Sequence, residues 1–301
     1  MKAFISGVSG QDGRYLTQYL QDQGYQVFGL VRRSSQERVL PECEIISGDV
    51  TDASIIDTIL EIEPDEIYNL AAMSHVGESF KIPDYTFRVN ALGTLNLLEA
   101  AKHTKAKFYQ ASTSELFGIS PPPQNEETKL HPRSPYGISK LAAYWMTINY
   151  REAYDLKTYN GILFNHESPI RGEDFVTQKI CKGVVDIFRG RKRYLTLGNL
   201  DAKRDWGHAE DYVRGMHLMM QNEPGEYVLA TGETHSVREF LDKAFSLFGM
   251  DYEDYVKTDP KFLRPSEVPE LRGDPSKMES LGWERRHSFD DLVSEMVNAW
   301  L

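Results

Sequence analysis

Residues 2–13 read K-A-F-I-S-G-V-S-G-Q-D-G, and this stretch decides the fold. A short apolar run comes first, and Gly7, Gly10 and Gly13 follow it at intervals of three residues. Glycine at these positions lets a strand turn directly into a helix whose amino end can approach a pyrophosphate. The spacing therefore predicts a dinucleotide site at the first strand-to-helix turn, with an ordinary glycine-rich turn as the alternative.

Short apolar runs and longer helical patterns alternate through the first half of the chain. Predicted strands cover 2–6, 26–31, 43–47, 66–70 and 107–112, and predicted helices cover 12–23, 52–62, 84–103 and 135–154. This alternation favours an α/β fold with a Rossmann-like, doubly wound parallel sheet and helices on both faces. Ligands bind such sheets at the carboxyl ends of the strands, so the residues that follow the strands are candidates for a site.

The regular alternation of strand-like and helical segments fades after about Phe164. Loops rich in Arg, Gly, Asp and Pro separate shorter elements there. We expect a smaller, interleaved C-terminal α/β region that binds the substrate. The predicted division assigns residues 1–164 and 205–235 to the nucleotide-binding domain and residues 165–204 and 236–301 to the substrate-binding region.

The composition narrows the class of protein. Of 301 residues, 41% are hydrophobic and 26% are charged, as in ordinary globular proteins. The longest apolar runs fall far short of the ~18 residues of a membrane span, and the strand-like start leaves no room for a signal peptide. A net charge of -11 argues against a nucleic-acid partner. Cys43 and Cys181 are too few for a disulfide framework, which favours the reducing cytoplasm.

The motif S-P-Y-G-I-S-K at residues 134–140 places Tyr136 and Lys140 four residues apart. On a helix these positions share a face, so the ammonium is expected beside the phenol. A tyrosine whose pKa is ordinarily near ~10 must lose roughly 3 units to act as a base near neutrality. The pair predicts a base that takes a proton from a hydroxyl while a hydride leaves the same carbon.

A second motif, S-T-S-E-L-F-G at residues 112–118, ends the fifth predicted strand. The hydroxyl of Thr113 can hydrogen-bond the substrate oxygen that Tyr136 deprotonates. A plain oxidoreductase has no use for a carboxylate here, whereas an enzyme that also removes a proton from the adjacent carbon and expels water needs one. Glu115 therefore indicates elimination, with a surface glutamate that caps the following turn as the alternative.

Further candidate cofactor residues follow the second, third and fourth predicted strands. An acidic residue after the second strand would favour NAD, whereas Arg32, Arg33 and Ser34 suit the 2′-phosphate of NADP. A solvated basic turn is the alternative. The other candidates, each of which simple packing also explains, are Asp49, Val50, Leu70, Ala71, Ala72 and Ser74.

Polar side chains in the second half are candidates for a nucleotide-sugar site. Loop arginines can clamp a diphosphate, although an ion pair or a loop anchor explains each of them as well. Trp206 is predicted to pack, and His75 and His208 are predicted to be structural because they lack partners of the metal-ligand kind, so we expect no metal site. The candidates are Asn165, His166, Arg171, Lys179, Arg204, Arg264 and Glu267.

Together these motifs resemble the extended short-chain dehydrogenase/reductase superfamily and, within it, the GDP-mannose 4,6-dehydratase family. The resemblance covers nearly the whole chain and rests above all on N-H-E-S-P followed by R-G-E-D-F-V-T-Q-K-I. It implies that Thr113, Glu115, Tyr136 and Lys140 are catalytic. It implies cofactor contacts from Gly7, Gly10, Gln11, Asp12, Gly13, Arg32, Asp49, Tyr85, Tyr136, Lys140, His166 and Arg171, and sugar-nucleotide contacts from Ser74, Thr113, Glu115, Asn165, Lys179, Arg204, Arg264 and Glu267.

The resemblance also implies an activity. A cytoplasmic, NADP-dependent lyase would convert GDP-D-mannose to GDP-4-dehydro-6-deoxy-D-mannose and water, a step in GDP-fucose biosynthesis. The chain looks short beside the family between Ser35 and Glu44 and between Gly249 and Arg264, so the expected homo-oligomer is a dimer and a tetramer is doubtful. The alternatives are a dehydratase for another nucleoside-diphosphate hexose, an NADPH-dependent 4-ketohexose reductase or epimerase, and a catalytically idle NADP-binding protein.

Overall fold

A computed structural model describes residues 1–32, 40–263 and 265–301 of the chain. In chain order its strands are β1 (Lys2–Ser6), β2 (Gln26–Val31), β3 (Glu44–Ser47), β4 (Glu66–Asn69), β5 (Lys107–Thr113), β6 (Thr158–Leu163), β7 (Asn165–Glu167), β8 (Leu195–Leu197), β9 (Lys203–Arg204), β10 (Trp206–His208), β11 (Gly225–Leu229), β12 (His235–Ser236), β13 (Val256–Thr258) and β14 (Glu270–Leu271). Its α-helices are α1 (Gln11–Asp22), α2 (Ile55–Ile62), α3 (Val76–Ser79), α4 (Pro83–Phe87), α5 (Gly93–Thr104), α6 (Pro135–Tyr154), α7 (Val176–Phe188), α8 (Ala209–Met220), α9 (Val237–Ser246), α10 (Ser276–Ser280) and α11 (Phe289–Asn298).

Seven parallel strands form the central sheet, in the order β11-β6-β5-β4-β1-β2-β3. Successive side chains of a strand point to opposite faces, and both faces of this sheet are apolar. Ala3 and Ile5 pack into one buried cluster with Leu16 of α1 and Met216 of α8. Phe4 packs on the other face with residues of α2 and α5. The predicted fold class, a doubly wound parallel sheet with helices on both faces, is confirmed.

Each element predicted in the first half lies close to an observed one, whereas α3 and β6 were not predicted, and one predicted helix differs internally. The helix predicted over 84–103 is interrupted by a π-helical turn at Arg88–Leu92, between α4 and α5. The Asn90 side chain in that turn accepts a hydrogen bond from the backbone N–H of Met73 and donates one to Ser139 Oγ. The wider turn thus directs one buried amide between the loop after β4 and helix α6.

The smaller region is built from short strands and a separate apolar core. The strand pairs β7–β10 and β8–β13 and the three-stranded set β12-β9-β14 surround it. Helices α7, α9 and α11 meet around Phe240, Leu241 and Met296. Trp206 belongs to this core and contacts the rings of Phe240 and Phe289. The division at residues 164, 204 and 235 stays a prediction.

Within the described residues, no helix is both long enough and apolar enough to cross a bilayer.

Candidate active site

A cavity of about 630 Å³ lies where the carboxyl ends of the central strands meet the smaller region. Parallel strands end at the same edge of a sheet, so side chains far apart in the sequence converge there. The predicted site residues that line it are Asp12, Leu70, Ala72, Ser74, Thr113, Glu115, Tyr136, Lys140, Asn165, His166, Arg171, Lys179, Arg204 and Glu267.

The glycine-rich turn next to this cavity has no room for side chains. Gly7 has φ +74°, and a Cβ there would lie 2.9 Å from the Cα of Ala71. A Cβ on Gly13 would lie 2.5 Å from the carbonyl oxygen of Gly7. These glycines let the turn, the loop after β4 and the start of α1 approach one another closely. The amino end of α1 that follows this turn is the kind of helix end that can accept an anion such as a pyrophosphate.

Helix α6 and the end of β5 bring the four predicted catalytic side chains to one wall of the cavity. Tyr136 and Lys140 lie one helical turn apart and are both buried. Thr113 ends β5, and its hydroxyl accepts the backbone N–H of Glu115 at 3.2 Å and acts to lower the pKa of Tyr136. Glu115 is only 8% exposed, so it lies at the cavity wall and not at the outer surface. A phenol, a hydroxyl and a carboxyl group therefore face the same space.

The electrostatics of Tyr136 and Lys140 differ from the expectation that the ammonium lowers the pKa of the phenol. Burial raises the pKa of Tyr136 to about 12, although the Thr113 hydrogen bond lowers it in part. Burial also lowers the pKa of Lys140 to about 8. The ammonium donates a hydrogen bond to the carbonyl oxygen of Ala111 at 2.8 Å. Desolvation penalises both charged forms, so an ionised Tyr136 needs a further positive charge nearby.

His166 and Asp12 form a pair at the amino end of α1. His166 Nε2 lies 2.9 Å from Asp12 Oδ2, and His166 Nδ1 lies 2.8 Å from the carbonyl oxygen of Phe164. The imidazole stacks on the ring of Tyr212 with centroids 4.4 Å apart. The neighbouring Gln11 donates to the backbone carbonyl oxygen of His166 at 3.1 Å. This pair joins β7 to the glycine-rich turn.

Arg171 is held by two neighbours that the sequence analysis did not single out. Its Nε lies 3.1 Å from the buried carboxylate of Glu167, and its guanidinium lies 3.6 Å from the centre of the Phe175 ring. Glu167 also accepts a hydrogen bond from Thr177 Oγ1 at 2.8 Å. The available signal for Glu167 was its place inside N-H-E-S-P, next to His166.

Ser79 is another functional neighbour that the sequence analysis missed. Its hydroxyl accepts the backbone N–H of Tyr136 at 3.2 Å and donates to the carbonyl oxygen of Val76. Ser79 therefore fixes the first turn of α6 against α3. A serine on a four-residue helix gives no sequence signal of such a role.

Several predicted cofactor residues lie outside the cavity wall. Arg32 donates a hydrogen bond to the Tyr85 hydroxyl at 2.7 Å, beyond the end of β2. Asp49 accepts hydrogen bonds from the backbone N–H and the hydroxyl of Thr51 at 2.9 Å. Val50 is buried, as the alternative of simple packing predicted. Arg33, Ser34 and Arg264 lie outside the described residues.

His208 lies next to two further side chains that could bind a metal ion, which the sequence did not reveal. His208, His287 and Glu295 place their possible ligand atoms within 4.8 Å of one another, so the expectation that His208 lacks partners of the metal-ligand kind is wrong. However, His208 Nδ1 accepts the backbone N–H of Glu210 at 3.1 Å. The proton of a neutral His208 must then lie on Nε2, the nitrogen that is 3.0 Å from Glu295. This tautomer opposes metal binding at Nε2.

Comparison with known proteins gives closely related sequences and similar folds. The sequence model of the GDP-mannose 4,6 dehydratase family matches residues 4–296. GDP-mannose 4,6 dehydratase 1 of Arabidopsis thaliana is 50% identical over 319 residues, covering 98% of this chain and 88% of the relative. The human GDP-mannose 4,6 dehydratase is 47% identical over 336 residues, covering 99% and 90%. Because both alignments are longer than this 301-residue chain, they contain gaps in it.

Solved structures with the same fold are more distant in sequence. The UDP-glucose 4-epimerase of Thermus thermophilus, solved in complex with NAD, superposes with a TM-score of 0.89 at 24% identity, covering 100% of this chain and 99% of that one. Its likeness extends over the central sheet and the smaller region together.

Proposed function

The chain belongs to the GDP-mannose 4,6-dehydratase family, and from this premise we propose that it converts GDP-D-mannose to GDP-4-dehydro-6-deoxy-D-mannose and water. The observation that carries the proposal is the carboxyl group of Glu115 in the same cavity wall as Tyr136 and Thr113. A reductase or an epimerase needs the phenol and the hydroxyl alone, whereas removal of water needs an additional acid-base group.

The residues present fit a nicotinamide dinucleotide. The glycines of the β1–α1 turn leave a cradle that any Cβ would fill, and the amino end of α1 suits a pyrophosphate. Bound and oxidised, the cofactor would supply a hydride acceptor that later returns the hydride, and it would add a positive charge to the cavity. That charge is the one which the buried Tyr136–Lys140 pair lacks.

NADP is the form of the cofactor that we propose. Arg32 follows β2, where an acidic side chain would favour NAD, and its guanidinium is held by the Tyr85 hydroxyl. A guanidinium suits the 2′-phosphate. Titrating the protein with NADP and with NAD tests this choice, and equal dissociation constants would overturn it.

The side chains around the sugar carry the proton transfers. Tyr136, as phenolate, takes the proton of the C4 hydroxyl while Thr113 hydrogen-bonds the same oxygen. The resulting ketone acidifies the C5 proton, which Glu115 removes. Glu115 then gives that proton to the departing C6 hydroxyl, so one water leaves. Tyr136 returns its own proton to C5, and both side chains recover their starting states with no net oxidation.

The second half of the chain supplies the groups for the diphosphate and the sugar. Lys179 and Arg204 line the cavity beside Asn165 and Glu267, and the cations among them balance an anionic diphosphate. Guanine is the base that the family relationship suggests. Competition among GDP, UDP and CDP for the site tests that selectivity directly.

A homodimer in the cytoplasm is the state that we propose. Phe87, Leu92, Ile138 and Trp145, on the helical stretch 83–104 and on α6, expose large apolar side chains, and Trp145 is 57% exposed. A second copy would cover them.

The thiols bear on the proposed compartment. Cys43 and Cys181 are free thiols whose pKa values burial raises, which suits a reducing compartment.

Incubating the protein with GDP-mannose and NADP, without any reductant, tests the function by mass spectrometry. Loss of the mass of one water is the expected result. A mass change that appears only with added NADPH would indicate a reductase, and no change with GDP-mannose but water loss from UDP-glucose or dTDP-glucose would indicate another substrate. No change with any of these would leave a binding protein.

A further inference from the structure

The cavity contains two opposite charges that the proposed reaction steps do not use. Asp12 lies in the first turn of α1, and His166 lies on β7, a distance of 154 residues along the chain. His166 is 8% exposed, and its ring stacks on Tyr212. These contacts fix the orientation of the imidazole and leave each ring nitrogen one hydrogen-bond partner.

The partners decide the charge of the imidazole. The carbonyl oxygen of Phe164 and the carboxylate of Asp12 only accept hydrogen bonds, so His166 Nδ1 and Nε2 must both donate. An imidazole with two N–H groups is a cation. Burial alone would lower the pKa of His166, but the Asp12 carboxylate raises it overall. Burial would likewise raise the pKa of Asp12, and His166 brings it down to about 2.

An Asp12 carboxylate without a nearby cation would weaken the binding of the anionic cofactor. It would also disfavour the phenolate form of Tyr136. Its carboxylate lies at the helix end where an anionic pyrophosphate would bind. Its negative charge also raises the pKa of Tyr136 and that of Lys140. A carboxylate placed there therefore needs a cation of its own.

We propose that His166 is a positioning residue which, as an imidazolium, cancels the Asp12 carboxylate so that a dinucleotide pyrophosphate can bind at the amino end of α1. This inference rests on the proposed nicotinamide cofactor. It gives the ion pair of Asp12 and His166 a role in binding that cofactor. The other titratable or charged groups that face the pair are Arg171 with its partner Glu167, Tyr109, Tyr136, Lys140 and Tyr212.

The sign of the pH dependence follows from the two pKa shifts. The pair is fully charged above about 2, where Asp12 ionises, and below the raised pKa of His166. As the pH rises through the pKa of His166, the imidazolium loses its proton and the carboxylate is left uncompensated. Cofactor affinity should then weaken as the pH rises through the pKa of His166, which lies above the ordinary pKa of histidine.

The first test observes the charge itself. In ¹⁵N-histidine-labelled protein without cofactor, the two ring nitrogens of His166, assigned by comparison with His166→Gln, should both show imidazolium shifts below the pH at which the ring titrates. They should change only at a pH above the ordinary pKa of histidine. A ring that titrates at or below the ordinary pKa of histidine would overturn the proposal. This measurement needs no variant beyond the one used for assignment.

The second test measures NADPH binding by fluorescence. His166→Gln keeps an N–H donor but removes the charge, and we expect its dissociation constant at pH 7 to rise about tenfold or more. Asp12→Asn with His166→Gln removes both charges and should restore the dissociation constant to within about threefold of the original. His217→Gln, a half-buried histidine bonded to Tyr25 away from the cavity, is the matched control and should bind normally.

Two binding results would overturn the proposal. One is a His166→Gln protein that folds, by circular dichroism, and binds NADPH as tightly as the original protein. The other is a double variant that binds no better than His166→Gln. Failure of the proposed function looks different, since NADPH would bind with the predicted charge dependence while GDP-mannose stayed unchanged.

Discussion

In the proposed mechanism, Glu115 is the side chain that separates a water-eliminating enzyme from an oxidoreductase with the same phenol and hydroxyl. Its position follows from simple local chemistry. Thr113 ends β5, its hydroxyl accepts the backbone N–H of Glu115, and the chain turns so that the carboxyl group stays at the cavity wall. The motif could predict a carboxyl group at this position because both features are local.

Glu115→Gln should abolish water loss while C4 oxidation still begins, since an amide cannot accept the C5 proton. We expect the rate of dehydration to fall by about 10³-fold or more. Rapid-quench mass analysis should show the original sugar and a 4-keto sugar but no dehydrated product. Glu152→Gln, on an exposed position of α6, is the control that should react normally. Full turnover by Glu115→Gln would contradict the role.

Tyr136 should remain protonated in the cofactor-free protein well above pH 9, because burial raises its pKa to about 12. The neutral phenol is favoured below that value, and the phenolate appears only as the pH rises through it. Adding oxidised cofactor should lower the pKa. The measurement is an ultraviolet difference titration of the original protein against Tyr136→Phe, with and without NADP. An unchanged pKa after NADP binds would contradict this account of the base.

At the scale of elements, the β1–α1 turn is held to its shape by steric contact. Gly7→Ala would strain a backbone at φ +74° and press a methyl group against the loop after β4. We expect a loss of about 2 kcal/mol or more in unfolding free energy and weaker NADPH binding. Gly24→Ala is the control, since Gly24 has φ +81° but nothing within 4 Å of its would-be Cβ. It should cost about 1 kcal/mol and leave NADPH binding intact.

Equal stability and equal NADPH binding of the two variants would contradict this interpretation. If Gly7→Ala and Gly24→Ala lost the same stability and bound NADPH alike, the close contact between the turn and Ala71 would have no energetic consequence. Urea titrations and fluorescence binding on the same samples provide both values.

Elements with a clear period could be predicted from the sequence, and those that depend on distant contacts could not. Helices α1 and α6 begin and end within one residue of the predicted bounds, because their apolar spacing is regular. The π-helical turn around Asn90 was missed because its extra residue serves contacts with Met73 and Ser139, which no local pattern records. The Asp12–His166 pair was missed as a pair for the same reason.

At the scale of the whole molecule, the smaller region was the hardest to predict. Its strands are two or three residues long, so neither a period of two nor a turn signal marks them. Its core is nevertheless substantial, with α7, α9 and α11 around Phe240. The loss of regular strand-helix alternation after Phe164 predicts where this region begins, whereas its internal topology depends on pairings across the chain.

The exposed apolar side chains of α6 and its neighbours predict assembly. Trp145→Glu should convert the proposed dimer to a monomer, because a charge at the centre of an apolar interface is costly to bury. Sedimentation should then fall from twice the chain mass to the 34.5 kDa of one chain. Leu247→Glu, similarly exposed on the smaller region, is the control that should leave the mass unchanged. A monomeric original protein would contradict the proposal.

The most direct test of the whole account follows one hydrogen atom. GDP-mannose carrying deuterium at C4 should give a dehydrated product with the deuterium at C6, transferred within one molecule and without added reductant. Mass spectrometry and NMR of the product locate the label. Deuterium found in solvent, left at C4 or absent from C6 would contradict a cycle in which one bound cofactor borrows and returns the same hydride while Glu115 removes the water.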